Sequence, residues 1–148
     1  MIRAAIVERA RYELGTPWQH QARTSRLALD CVGLVGVVAG ALGLRHAAEW
    51  FADDELKRYG RPPRPDVLLA GARKYLDEIA VRTALAGDVL VVAHRSHPDT
   101  PTHFGIVTRA APRYVIHAEY FAGRVVENRL PDGARWLPTH AFRFRGVA

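Results

Sequence analysis

Leu29-Asp30-Cys31-Val32-Gly33-Leu34-Val35 decides how the rest of the chain is read, because it contains the only cysteine and has the form of a helix start. A short carboxylate such as Asp30 accepts hydrogen bonds from the unpaired N–H groups of a first helical turn, so Asp30 is expected as N-cap and Cys31 as the first helical residue. Free N–H groups and the positive end of the helix dipole favour thiolate over thiol at that place. A depressed thiol pKa and an accessible sulfur are therefore expected. The alternative is a small buried hydrophobe, the common fate of a lone cysteine among valines, leucines and glycines. A nucleophile also needs a base. Thr102-His103-Phe104-Gly105-Ile106-Val107 and Tyr114-Val115-Ile116-His117-Ala118 each read as a strand carrying one histidine that could serve.

The helix begun at Cys31 is expected to run to about Leu44 with glycines at 33, 36, 40 and 43. Each costs about 1 kcal/mol against alanine in a helix interior, so a close neighbour, a sheet or another helix, must offset them. The apolar run is too short to cross a bilayer, which predicts a buried helix and no membrane partner. Upstream, Ile2, Ile6, Ala10 and Leu14 recur at helical spacing, giving an amphipathic helix over 2–14 that Gly15-Thr16-Pro17 stops. Met1 to Leu14 has no uninterrupted apolar stretch, so no export signal is expected and the protein is expected to be made in the cytoplasm. Gln21 to Ala28 reads as a polar loop.

Downstream, Asp53-Asp54-Glu55 reads as a solvated surface, and Gly60-Arg61-Pro62-Pro63-Arg64-Pro65 as an extended connection. Asp66 is expected to cap a helix whose apolar face is Leu68, Ala72, Tyr75, Leu76 and Ile79. From Gly87 the period changes to that of strands: 88–93, then 103–109, 113–118, 124–130 and 140–145. Phe142 and Phe144 alternate with Arg143 and Arg145, as on a sheet with one wet face. Helices first and strands later predict an α+β fold, helices packed on a C-terminal antiparallel sheet. A hairpin turning at Arg109-Ala110-Ala111 would set His103 and His117 directly opposite each other, lining one groove.

With 148 residues, 49% hydrophobic and 24% charged, residues 1–148 fit a single domain. One cysteine excludes an internal disulfide and a cysteine-based zinc site. His94, His97 and His103 lack the helical spacing of common metalloprotease motifs, so neither metal nor cofactor is expected. The net charge of +6 suits a polyanionic partner, but no nucleic-acid motif accompanies it.

The order Leu14-Gly15-Thr16-Pro17, Asp30-Cys31-Val32-Gly33-Leu34-Val35, Gly87-Asp88-Val89-Leu90, His103-Phe104-Gly105-Ile106-Val107 and Ile116-His117-Ala118 resembles the NlpC/p-sixty cysteine peptidases of bacterial cell-wall metabolism. Trp18-Gln19-His20-Gln21 and the segment around Tyr59-Gly60-Arg61-Pro62 resemble the compact subgroup found with phage tails and gene-transfer particles. The resemblance implies a papain-like fold and a Cys-His-His mechanism. Cys31 would be the nucleophile and oxyanion N–H donor, His103 the base and acid, and His117 the residue that orients His103. Trp18, His20 and Asp30 would support the substrate or oxyanion site. The implied substrate is the stem peptide of peptidoglycan, cut as a D,L-endopeptidase between a γ-D-glutamyl residue and the following diamino acid. The subgroup implies delivery by a phage-like tail to the cell wall or periplasm. Three positions depart from the family pattern: Trp18 stands for a tyrosine, His20 and Gln21 for a glycine pair, and Val32 for a serine. Two other outcomes share these residues: a catalytically silent tail component, and an amidase or acyltransferase on the same thiolate.

Overall fold

The computed structural model describes residues 1–60, 64–131 and 134–148. Of the proline-rich connection, residues 61–63 lie outside the described residues.

Helix α1 (Ile2–Tyr12) buries Ile6, Val7 and Ala10, so its inward face is turned by one residue from the 2-6-10-14 stripe and Ile2 is left exposed. Gly15, at φ +86°, turns the chain back. The segment expected as a plain loop holds a small hairpin, β1 (Arg23–Thr24) with β2 (Ala28–Leu29). Its turn is fixed by the buried Glu13 carboxylate, which accepts from the Arg26 N–H and from the Thr16 and Ser25 hydroxyls.

Helix α2 (Cys31–Ala41) is apolar on every side and buried from Cys31 to Ala39, which makes it the axis of the core. It ends three residues before Leu44. Its glycines are explained by close neighbours, a hairpin strand and a helix rather than the main sheet. A Cβ on Gly33 would stand 2.1 Å from the Ala22 carbonyl oxygen, and one on Gly36 2.8 Å from Trp50 of α3 (Ala47–Ala52). Trp50 also donates its indole N–H to the Val32 carbonyl, pinning the first turn of α2.

Asp53 is not a solvated residue. Its carboxylate caps the Glu55 N–H and accepts from Lys74 and Tyr75, joining the end of α3 to α4 (Pro65–Tyr75). Arg64 is the N-cap of α4 and Pro65 its first residue, so Asp66 lies inside the first turn instead of capping it. The helix stops at Tyr75, and Leu76–Ile79 forms β3, an edge strand paired with the last strand, rather than continuing the helical stripe.

The strands β4 (Val89–His94), β5 (Pro101–Arg109), β6 (Tyr114–Glu119), β7 (Arg124–Arg129) and β8 (Trp136–Phe144) complete one antiparallel sheet in the order β3-β8-β4-β5-β6-β7. β8 starts four residues before the expected 140. One sheet face, with Val89, Val91, Phe104, Ile106, Ile116 and Phe142, closes on α2 and its neighbours. The other is not simply wet. Leu90, Val92, Val107, Val115 and Ala141 form a second apolar cluster there, and Arg143 is drawn to the buried Asp88.

Candidate active site

Asp30 is the N-cap of α2, as expected: one carboxylate oxygen accepts from the Gly33 N–H at 2.9 Å. The other accepts from the Gln21 N–H at 2.7 Å and from the Tyr59 hydroxyl. A short acceptor at this place satisfies N–H groups that the first turn cannot pair internally, at about 1 kcal/mol for the cap. It also fixes where Cys31 begins.

The ladder between β5 and β6 pairs Ile106 with Ile116, and Phe104 and His103 follow on β5 beyond that pair. There the Phe104 N–H is directed at the sulfur of Cys31, together with the N–H groups of Cys31 and Val32. The nucleophile candidate is thus seated against β5, one residue from His103, and three backbone donors favour its thiolate.

They do not prevail. Cys31 is 5% exposed, and burial, with the neighbouring Asp30 carboxylate, pushes its thiol up to about 12. This corrects the expectation of an accessible cysteine of depressed pKa. The helix-start argument counts dipole and N–H groups, whereas desolvation and a like charge next door outweigh both. The resting sulfur is a thiol.

His103 and His117 meet, though not as directly opposed residues. Ile106 pairs with Ile116 and Val107 with Val115, a register that carries Gly105, not His103, to the level of His117. The turn lies at 110–113, later than the expected Arg109-Ala110-Ala111, which offsets the pairing by two residues even after the irregularity between Val107 and Arg109 takes up one. The rings still touch diagonally, with His103 Nε2 at 2.8 Å from His117 Nδ1. Burial and the second imidazole hold His103 well below its usual pKa, and burial lowers His117 despite the Asn128 hydrogen bond and the Glu119 charge. Both are neutral near pH 7. With Nε2 engaged, His103 has only Nδ1 left to face a thiol proton.

Cys31, His103, Trp18, His20 and Asp30 all line one open cleft of about 570 Å³. Trp18 packs its ring edge-on to Tyr120 at 5.1 Å, and His20 sets its ring against Tyr59 at 5.5 Å. Both are cleft walls. The exposed side of the cleft carries His94, Ser96 and His97, with the Ser96 hydroxyl between the two imidazoles at 2.6 and 3.0 Å.

Three residues of this site were missed from sequence. Trp136 stacks on His103 with centroids 4.7 Å apart, from the first residue of β8, ahead of the expected strand start at 140. Tyr59 lies in an irregular stretch with no pattern to mark it. Asn128 binds the far nitrogen of His117 at 2.8 Å, and its place on β7, two residues past the partner of His117, was in principle legible. Among the described residues no group of three His, Cys, Asp or Glu side chains could hold a metal ion. No described helix is long and apolar enough to cross a membrane.

No family model matches the chain, and no curated protein matches it. Solved structures do. The NlpC/p60 domain of the peptidoglycan hydrolase SagA is 21% identical, with TM-score 0.65 over 96% of this chain and 98% of that one. NlpC1 from Trichomonas vaginalis is 15% identical, with TM-score 0.68 over 97% of this chain. The chain spans 44% of the length of NlpC1 and 46% of NlpC2 from the same organism. An N-acetylmuramoyl-L-alanine amidase from Bacteroides uniformis ATCC 8492 is 16% identical, with TM-score 0.61 over 96% and 98% of the two chains. The α+β architecture is that of NlpC/P60 domains.

Proposed function

We propose that this protein is a cell-wall hydrolase that attacks a peptidoglycan amide with Cys31. The observation that carries the proposal is the seating of the Cys31 sulfur under the Phe104 N–H, beside the hydrogen-bonded His103–His117 pair, on the wall of an open cleft. The named activities of SagA and of the Bacteroides amidase support the same substrate. So does the net charge of +6, which suits an anionic polymer.

Because thiol and imidazole both rest neutral, the thiol proton passes to His103 Nδ1 as the sulfur–carbon bond forms. The backbone N–H groups of Cys31 and Val32, at the head of α2 beside the sulfur, would serve as donors to the developing oxyanion. The carbon–nitrogen bond then breaks while His103 returns the proton to the leaving amine, giving a thioester. Water, deprotonated by His103, cleaves the thioester and restores the thiol.

The bond we propose is the γ-D-glutamyl–diamino acid amide of the stem peptide, and the setting a phage-like tail that delivers the domain to the wall. Both rest on the motif resemblance. Purified sacculi digested with the protein should yield new termini at that amide by mass spectrometry, absent with Cys31→Ala. Termini at the lactyl–alanine amide would identify an amidase instead. Intact sacculi would favour a silent tail component, the reading that the burial and raised pKa of Cys31 support.

A further inference from the structure

His117 uses both ring nitrogens: Nδ1 meets His103 Nε2 and Nε2 meets the Asn128 Oδ1, each at 2.8 Å. A neutral imidazole carries one N–H, so one nitrogen donates and the other accepts. A carbonyl oxygen only accepts. His117 Nε2 therefore carries the hydrogen, its Nδ1 is bare, His103 Nε2 donates to it, and His103 Nδ1 is left without a proton. If the amide were turned over, its NH₂ group would donate to His117 Nε2, and every hydrogen in the row would move by one place. His103 would then present an N–H where a base is needed.

We propose that Asn128 is a positioning residue whose side-chain oxygen sets the tautomers of His117 and, through it, of His103, and so decides whether His103 can accept a proton. The proposal rests on the Cys31–His103 chemistry above for its consequence, but not for its geometry. Asn128 sits on the edge strand β7, paired with Val115 of β6, which brings its side chain diagonally to His117 across the β6–β7 ladder. An amide is suited to the task because it fixes direction without charge. A carboxylate there would also accept from His117 Nε2, but it would raise the pH below which His117 takes a second proton and its Nδ1 turns from acceptor to donor.

The other ionisable groups around the pair leave this role to Asn128. Glu119 on β6 attracts positive charge to His117 but spends its oxygens on the Phe121 and Ala122 N–H groups and on Arg135. Glu127, next to Asn128, is bound to Arg11 and Thr108. Cys31 at the head of α2 rests as a neutral thiol, and from β8 the His103 ring meets the uncharged Trp136.

The test is a two-dimensional proton–nitrogen correlation of the imidazole nitrogens in the full chain, which reads tautomers without any substrate. Wild type should show the Nε2–H form of both His103 and His117. Asn128→Leu should give mixed tautomers and a kcat on sacculi about five- to tenfold lower, with KM little changed. Asn128→Asp, an acceptor in either orientation, should restore most of kcat while moving the acid limb of the pH–rate profile upward. An Nδ1–H form of His117 in wild type, or unchanged tautomers in Asn128→Leu, would overturn the proposal. If Asn128→Leu does not fold, a pH profile unmoved in Asn128→Asp would overturn it equally. Expected tautomers in a protein that cuts nothing would uphold the positioning role and reject the hydrolase instead.

Discussion

Asp30 and Asp88 are both buried carboxylates, 3% and 0% exposed, yet they are held in opposite ways. Asp88 is clamped by two guanidiniums, Arg3 from α1 and a bidentate Arg143 from β8, and also accepts from the Leu85 N–H. Asp30 has no ion pair among the described residues and accepts only from neutral donors: two backbone N–H groups and the Tyr59 hydroxyl. The difference separates structure from chemistry. At Asp88 the negative charge is cancelled and ties the first helix to the last strand. At Asp30 the charge is solvated by dipoles but left standing, and its field falls on the Cys31 thiol next to it. A site that must move a proton keeps unbalanced charge, while a staple does not.

The largest test of this contrast is to remove one member of each region. Cys31→Ala and His103→Ala should each abolish hydrolysis, a fall of at least about 1,000-fold since nucleophile and base act as a unit, with the Tm nearly unchanged. Asp88→Ala should do the reverse. It strands two guanidiniums and should cost about 2–4 kcal/mol, below the range for a fully buried pair because both arginines reach solvent, while activity per folded molecule stays. A urea titration beside an assay on sacculi decides both, and an inactive but stable Asp88→Ala would break the division.

The pH dependence of stability sharpens the same point. Burial alone would raise the Asp88 carboxyl, but hydrogen bonds from Arg143, the Leu85 N–H and Arg3 hold it below its usual value. Its folded pKa is depressed, so its contribution is present above about pH 3.9 and is lost as pH falls through the folded value. The histidine pair, also depressed, contributes fully above about pH 6.5 and loses stability as pH falls below that. Cys31 works in the other direction: raised to about 12, it contributes below the ordinary thiol pKa and loses stability as pH rises toward 12. Urea midpoints across pH should therefore fall in two acid steps. The upper step should vanish in a His103→Ala, His117→Ala double variant and the lower one should shrink in Asp88→Asn.

What the sequence disclosed follows this division as well. The cap–cysteine–glycine run announced α2 because capping and burial are local, and the strand alternation around Phe104, Ile106, Phe142 and Phe144 disclosed the sheet. Leu76 and Ile79 misled because, three residues apart, they continue a helical stripe, whereas in β3 they face opposite sides of the sheet, and only the pairing with Phe144 through Ala141 decides between the two readings. The histidine pair was legible as a pair but not in register, since the turn between their strands takes residues 110–113 and composition does not fix a turn's length. The thiol environment was illegible for a different reason. Desolvation is summed over the whole fold, and no window around Cys31 contains Phe104, Tyr59 or the wall of the cleft.

The next effect in size concerns Asp30 itself. Asp30→Asn keeps an N-cap acceptor for the Gly33 N–H but removes the charge beside the sulfur, so the thiol pKa should drop from about 12. Iodoacetamide should then alkylate Cys31 several-fold faster at pH 8, at a stability cost of about 1–2 kcal/mol because the amide NH₂ faces the Gln21 N–H. An unchanged alkylation rate would mean that desolvation alone governs the thiol.

The smallest expected effect belongs to Tyr59, and it has the opposite sign. Tyr59 is 3% exposed, and its hydroxyl donates to the Asp30 oxygen that also accepts from Gln21. Burial, with the Asp30 charge next, drives the phenol far above its usual range, so it remains a donor at every working pH. That donation spreads the Asp30 charge and weakens its field at the sulfur. Tyr59→Phe keeps the ring that His20 packs against but removes the donor, leaving more of the carboxylate charge facing Cys31. The thiol should then become harder to ionise, and alkylation at pH 8 about two- to threefold slower, for a lost hydrogen bond worth about 1–2 kcal/mol of stability. In the double variant Asp30→Asn, Tyr59→Phe the slowing should disappear, since there is no longer a charge for the hydroxyl to spread. Slowing that persists in the double variant would mean that Tyr59 acts on the sulfur directly, and the contrast between a cancelled and a standing carboxylate would lose its chemical half.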